Sequence, residues 1–216
     1  MTDDTTPRER RAKRTRKAIL DTAMQLIVEK GPDKLSLREV ARRIDYSPAG
    51  LYEYFGSKDE LVEAACSEAD RRLGIYLNGV DPALPPGDYL VELGLAYVRF
   101  ARENPEHFLF LFGNREANFE HMLPLEDDFQ TDEDWGKHDP NFALLISAVQ
   151  RAIDADVIQT RAGFDTLEIA YTVWALAHGM ASLQARYMPH LRLNYAATDR
   201  HAMRIMIAGL GHTLPE

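Results

Sequence analysis

Cysteine is nearly absent from this chain: Cys66 is the single one in 216 residues. A lone thiol excludes an intramolecular disulfide and any cysteine-rich zinc site, and it fits a reducing cytoplasmic compartment. Long apolar runs are missing too. None approaches the ~18 residues that span a bilayer, so no membrane partner is expected. The basic start followed by AILDTAMQLIVEKG has the outline of an export signal, but Asp21, Gln25 and Glu29 interrupt it and no small-residue cleavage site follows. No segment reads as a convincing strand. Also missing are a nucleophile beside a base, a Gly-rich phosphate loop and metal-ligand spacing; His121 and His138 have no second histidine at the right distance. The expectation is no enzyme, no cofactor and no metal.

Positive charge is scarce overall, with 25 Lys/Arg against 34 Asp/Glu and a net charge of -9. It is not scarce everywhere. Residues 1–62 hold 13 Lys/Arg and 11 Asp/Glu, and RERRAKRTRK (8–17) holds seven bases and one acid. A positive end on a negative body suits a polyanion at that end. The same run also fits a solvated tail.

What is present is helical periodicity with clear punctuation. Residues 1–10 read as polar and disordered. From Lys13 to Lys30, Ile19, Ala23, Leu26 and Ile27 share one helical face, and Gly31-Pro32 ends the helix. Ser36 caps the next, with Glu39 three residues on. Leu37, Val40, Ala41 and Ile44 form its buried stripe. Asp45-Tyr46 makes a tight turn, where Asp tolerates the left-handed conformation. Ser47 caps a short third helix over about Pro48 to Tyr54, with Pro48 at its first position. Ser57 and Glu60 start a fourth, running to about Tyr76 with Leu61, Ala65 and Leu73 inward. NGVDPALPPGD (78–88) reads as a joint between domains over 13–73 and 85–214. The acidic segment 114–139 reads mostly as loop. The fold class expected is all-α.

Two short capped helices joined by a tight turn form a helix-turn-helix, whose second helix enters a major groove. Two capped helices also occur in many other helical proteins. Under the first reading, helix N-termini and the hydroxyls of Ser36 and Ser47 meet phosphates, and Arg38 reaches a phosphate or a guanine edge. Pro48, Ala49 and Gly50 are small enough for the backbone to approach bases. Tyr52 and Tyr54 project about 200° apart and each can donate to a phosphate. Lys58 lies near the same track, and the basic arm wraps the backbone or enters a minor groove.

LSLREVARRIDYSPAGLYEYFGSKDELVEAA resembles the DNA-binding region of the tetracycline-repressor (TetR) family, over roughly residues 13–73. The resemblance implies an all-helical dimer, with a three-helix N-terminal DNA-binding domain and a C-terminal ligand-binding and dimerisation domain. It implies backbone contacts from Ser36, Arg38, Ser47, Tyr52, Tyr54 and Lys58. Base-proximal positions fall on Leu37, Pro48, Ala49 and Gly50. Three positions depart from the family pattern: Asp45 stands where Gly is usual, Tyr46 where a small aliphatic is usual, and Gly50 where a hydroxyl residue is common.

The remainder carries weaker signals. In FDTLEIAYTVWALAHGMASLQARY, Leu167, Ala170, Tyr171, Trp174, His178 and Ala181 form one stripe. Ile169, Val173, Leu176, Met180, Leu183 and Tyr187 form another. A helix apolar on nearly all sides must be covered on nearly all sides. With AMRIMIAGLG, and Ile205 and Gly209 in it, this predicts a four-helix homodimer interface through Ile169, Val173, Leu176, Met180, Leu183, Ile205 and Gly209. A fully buried central helix in a monomer fits the same pattern. Trp174-x-x-x-His178-Gly179 resembles the WHG class of TetR-type C-terminal domains. Tyr97, Phe100, Phe108, Phe112, Phe119, Trp174 and His178 are candidates to line an effector pocket, although side chains of this kind at helical spacing are more often core. The function implied is a transcriptional regulator, a repressor released from a palindromic double-stranded operator by a small molecule. A ligand-independent DNA binder is the alternative, and behind it a helical small-molecule-binding enzyme.

Overall fold

The computed structural model describes residues 6–113, 139–186 and 192–212. Phe119, His121, His138, Tyr187 and the acidic segment up to residue 138 lie outside them. Among the described residues the regular elements are helices, and the one bridge pairs Arg161 with Phe164. The chain divides into two compact units. Residues 6–71 and 106–113 belong to the first, and 72–105, 139–186 and 192–212 to the second. The boundary falls inside one helix, between Arg71 and Arg72.

The first unit opens with α1 (Pro7–Lys30), six residues earlier than periodicity suggests. Thr6 and Glu9 close a reciprocal capping box. Glu9 N–H donates to Thr6 Oγ1 at 3.3 Å, and Thr6 N–H donates to Glu9 Oε2 at 2.7 Å. Pro7 takes the first helical position, where a missing N–H is harmless. The expected disordered start is therefore helix from residue 7. The basic run is a helical segment and not a loose arm, because Arg and Lys are good helix formers once a cap nucleates the turn.

Next come α2 (Leu37–Arg43), α3 (Pro48–Leu51) and α4 (Lys58–Asn78). Ile19, Ala23 and Ile27 of α1, Val40 and Ala41 of α2, Leu51 of α3, and Leu61 and Ala65 of α4 all have zero exposure and belong to the core of this unit. Phe55 closes this core at 2%. The last helix of the unit, α6 (Pro105–Phe112), comes from far along the chain. The Gln25 amide on α1 donates to both carboxylate oxygens of Glu106, at 3.1 and 3.0 Å. Buried His107 lies 3.9 Å from Asp21.

The second unit holds α5 (Pro86–Glu103), α7 (Pro140–Asp154), α8 (Thr166–Arg186) and α9 (Tyr195–Leu210). The helix buried on nearly all sides is α5, not α8. Leu90, Leu93, Ala96, Val98, Phe100 and Ala101 all have 4% exposure or less. Helices α7, α8 and α9 pack around it. Gly94 admits α9: a Cβ there would sit 2.2 Å from Cε of Met203. Arg200 of α9 pairs with Glu92 of α5 beside this contact.

Candidate nucleic-acid interface

Ser36 Oγ accepts the Glu39 N–H at 3.2 Å and starts α2. The box is half made, because the Glu39 carboxylate turns to Lys30 instead. Asp45 ends α2 with φ +52°, a left-handed residue. Tyr46 N–H then reaches the Ala41 carbonyl at 2.9 Å and Asp45 N–H the Arg42 carbonyl at 3.4 Å. This is a Schellman ending with aspartate in the usual glycine place. Ser47 Oγ accepts the Gly50 N–H at 3.0 Å and starts α3. That helix is one turn long, shorter than the expected Pro48–Tyr54. Residues 52–54 continue as turns, with Tyr54 and Phe55 N–H groups both meeting the Leu51 carbonyl. Ser57 Oγ accepts the Glu60 N–H at 3.1 Å, while Glu60 reaches back to Gly56 N–H at 2.7 Å.

These caps aim one face outward. Ser36, Arg38, Ser47, Pro48 and Ala49 are exposed, and Tyr52 is 53% exposed. Gly50 and Tyr54 are half-buried. Leu37 is 8% exposed and is a core residue of α2, so its side chain has almost no surface to offer a base. Lys58 is half-buried and its Nζ donates to the Asp33 carbonyl at 3.3 Å, leaving two ammonium hydrogens for another acceptor.

Neighbouring acids select which cations face outward. Arg43 forks onto Glu29 at 3.1 and 2.6 Å. That bond lowers the Glu29 carboxyl below the ordinary carboxylate value and raises the guanidinium. Lys30 and Arg42 lie against Glu39. Arg38 has no ion-pair partner among the described residues. Arg16 stacks over the Phe55 ring at 5.2 Å and ties α1 to the end of the α3 turn. The sequence reading missed Tyr46, which is 37% exposed and meets Tyr54 edge-on with ring centroids 6.2 Å apart. It also missed Thr6, although Thr6-Pro7-x-Glu9 is itself a helix-start signature.

The aromatic candidates fall in both units. In the second unit, Tyr97 Oη lies 2.9 Å from His178 Nδ1. Trp174 is edge-on to His178 at 5.7 Å, and Phe142 is edge-on to Trp174 at 5.8 Å. Phe142 was not expected here. It stands two residues after Pro140 on α7, whose N-cap Asp139 accepts the Asn141 and Phe142 N–H groups. Phe100 is fully buried and packs on Tyr76 at 5.7 Å. Phe108 and Phe112 pair at 5.2 Å in the first unit. Burial pushes the Tyr97 phenol far up and the His178 imidazole down, so His178 is neutral at pH 7. Burial raises Asp139, against the two N–H bonds it accepts.

The proposed dimer stripe on α8 is divided. Ile169 and Val173 have 0% and 1% exposure and belong to the chain's own core, with no surface left for a partner. Leu176 and Met180 are half-buried, and Leu183 is 48% exposed. Tyr171, at 62%, joins the outward face. On α9, Ile205 is 60% exposed, and a Cβ on the exposed Gly209 would meet nothing within 4 Å.

The capped pair of short helices and its outward face make the first unit a helix-turn-helix domain. The comparisons agree. Residues 19–65 match the family model described as "Bacterial regulatory proteins, tetR family". Residues 90–209 match "Tetracyclin repressor-like, C-terminal domain". The chain belongs to the tetR family. It is 40% identical over 63 residues to the uncharacterized HTH-type transcriptional regulator YvkB of Bacillus subtilis, covering 29% of this chain and 33% of that one. It is 34% identical over 89 residues to the regulator MT1294 of Mycobacterium tuberculosis, also uncharacterized, covering 40% and 44%. The chain thus spans less than half the length of these curated relatives. A tetR-family regulatory protein from Rhodococcus RHA1 shares the fold with a TM-score of 0.68 at 16% identity, over 92% of this chain and 97% of that one.

Proposed function

We propose that this chain is a sequence-specific DNA-binding transcriptional regulator of the cytoplasm, a homodimeric repressor released from a palindromic operator by a small-molecule effector. The observation that carries the reading is the outward set of Ser47, Pro48, Ala49 and Tyr52 on a helical turn anchored by fully buried Leu51. Pro48 and Ala49 approach bases. Ser36, Arg38, Ser47, Tyr52, Tyr54 and Lys58 hold phosphates and set register. Leu37 supports the first helix from within.

The dimer uses the outward faces of α8 and α9, with Tyr171, Leu176, Met180, Leu183, Ile205 and Gly209. Ile169 and Val173 lie behind them. Two recognition helices then meet successive major grooves about 34 Å apart. Tyr97, Phe142, Trp174 and His178 are the effector site in this reading: aromatic walls with a neutral imidazole as the polar group. To take DNA-bound protein from 1:99 to 99:1 released, the effector must prefer the released form by roughly 5.5 kcal/mol.

Selection of bound duplexes from random DNA tests the reading. The expected product is a palindrome with half-sites about one duplex turn apart. Failure to enrich any duplex overturns it. Titrating apolar compounds against the selected complex then separates an effector-controlled regulator from a ligand-independent binder.

A further inference from the structure

Gly50 sits in the single turn of α3, where glycine is less stable than alanine by roughly 1 kcal/mol. Its backbone does not require glycine: the glycines with positive φ among the described residues are Gly31 and Gly163. What Gly50 lacks is room. A Cβ there would lie 2.7 Å from Cε1 and 3.3 Å from Cδ1 of Tyr46, and 2.9 Å from Ser47 Oγ, the atom that caps the helix. The missing side chain therefore makes way for a neighbouring ring of the chain itself. Tyr46 is held from behind by the Schellman bond to Ala41. Its ring meets the Tyr54 ring edge-on, with centroids 6.2 Å apart.

We infer that Tyr46 is a positioning residue for DNA recognition, its ring seating the recognition helix between Gly50 and the edge of Tyr54. The inference rests on the DNA-binding reading above. The ring sets the tilt of the helix that carries Pro48 and Ala49, and so the choice of base.

The test is a cycle of Gly50→Ala, Tyr46→Ala and the double variant, with Tyr46→Phe beside it. In thermal melts, Gly50→Ala is expected to lower the midpoint in the natural background and to leave it equal or higher once Tyr46 is Ala. In duplex selection, Tyr46→Ala and the double variant are expected to change the preferred bases. Tyr46→Phe keeps the ring and is expected to keep the preferred bases. The same Gly50→Ala effect in both backgrounds overturns the seating. An unchanged base preference in Tyr46→Ala, or a changed one in Tyr46→Phe, overturns the positioning role. Failure of the natural chain to enrich any duplex removes the DNA-binding reading and this role with it. Enrichment by the natural chain with an additive cycle removes the role alone.

Discussion

The phenol oxygen of Tyr97 on α5 and Nδ1 of His178 on α8 meet at 2.9 Å, joining two packed helices of the second unit through a half-buried imidazole. Burial lowers the His178 pKa from its ordinary 6.5. In the unfolded chain the ring takes up a proton near 6.5; in the folded chain it does so only at lower pH. Between those values the unfolded state binds more protons, so stability falls as pH drops. The contribution is complete above pH 6.5 and is lost toward the depressed folded value. Thermal melts are expected to hold steady at pH 7–8 and decline below 6.5. His178→Gln retains a hydrogen-bonding group but cannot titrate, so its decline is shallower. Asp139, raised by burial, acts in the opposite sense, since its stability is lost as pH rises. It is present in both proteins and cancels in the comparison. Parallel profiles would remove His178 as the cause.

Tyr52 is more than half exposed. Tyr52→Phe removes only its hydroxyl and is expected to weaken DNA binding about tenfold, a typical loss for a hydrogen bond to a charged acceptor. The loss falls evenly across operator variants measured by titration, because phosphate carries no sequence information. A loss confined to one base pair would make Tyr52 a base reader.

Deleting residues 1–14 removes Arg8, Arg10, Arg11, Lys13 and Arg14 together with the Thr6 cap. The plot of log affinity against log salt is expected to flatten, by up to about 0.9 for each phosphate that is no longer neutralised. Far-ultraviolet circular dichroism should fall with it, since the segment is helical. An unchanged slope would mean that the basic turns of α1 stand clear of DNA.

Leu183→Glu and Ile205→Glu place charge on the outward faces of α8 and α9. Both are expected to halve the mass seen by sedimentation while the monomer stays folded. Ile169→Glu is a control of opposite behaviour: it buries an unpaired carboxylate in the chain's own core and is expected to unfold the monomer. A Leu183→Glu protein that sediments as a dimer would put the interface elsewhere.

Local chemistry made much of the helix-turn-helix region legible. A helix cap needs a hydroxyl and the N–H groups two or three residues on, so Ser36, Ser47 and Ser57 announce their helices without distant partners. Asp45 at the left-handed turn is legible for the same reason. Thr6-Pro7-x-Glu9 was equally local, and the charge of the segment masked it. The effector and dimer residues were harder. A helix such as α8, apolar all round, offers no contrast from which to choose its buried face. The face chosen lay partly over Ile169 and Val173.

The order of residues along the chain determined by itself that this protein is all-helical, where its short helices begin and turn, and which family it belongs to. The first two follow from contacts within four residues and from period; the family follows from resemblance over the helix-turn-helix region. Tertiary structure decided the rest. It made α5 the buried helix of the second unit and placed α6 beside α1 through Gln25 and Glu106. It also set Tyr46 against Gly50. Each of these depends on side chains meeting across helices, where shape and distance choose among partners that sequence spacing leaves equivalent.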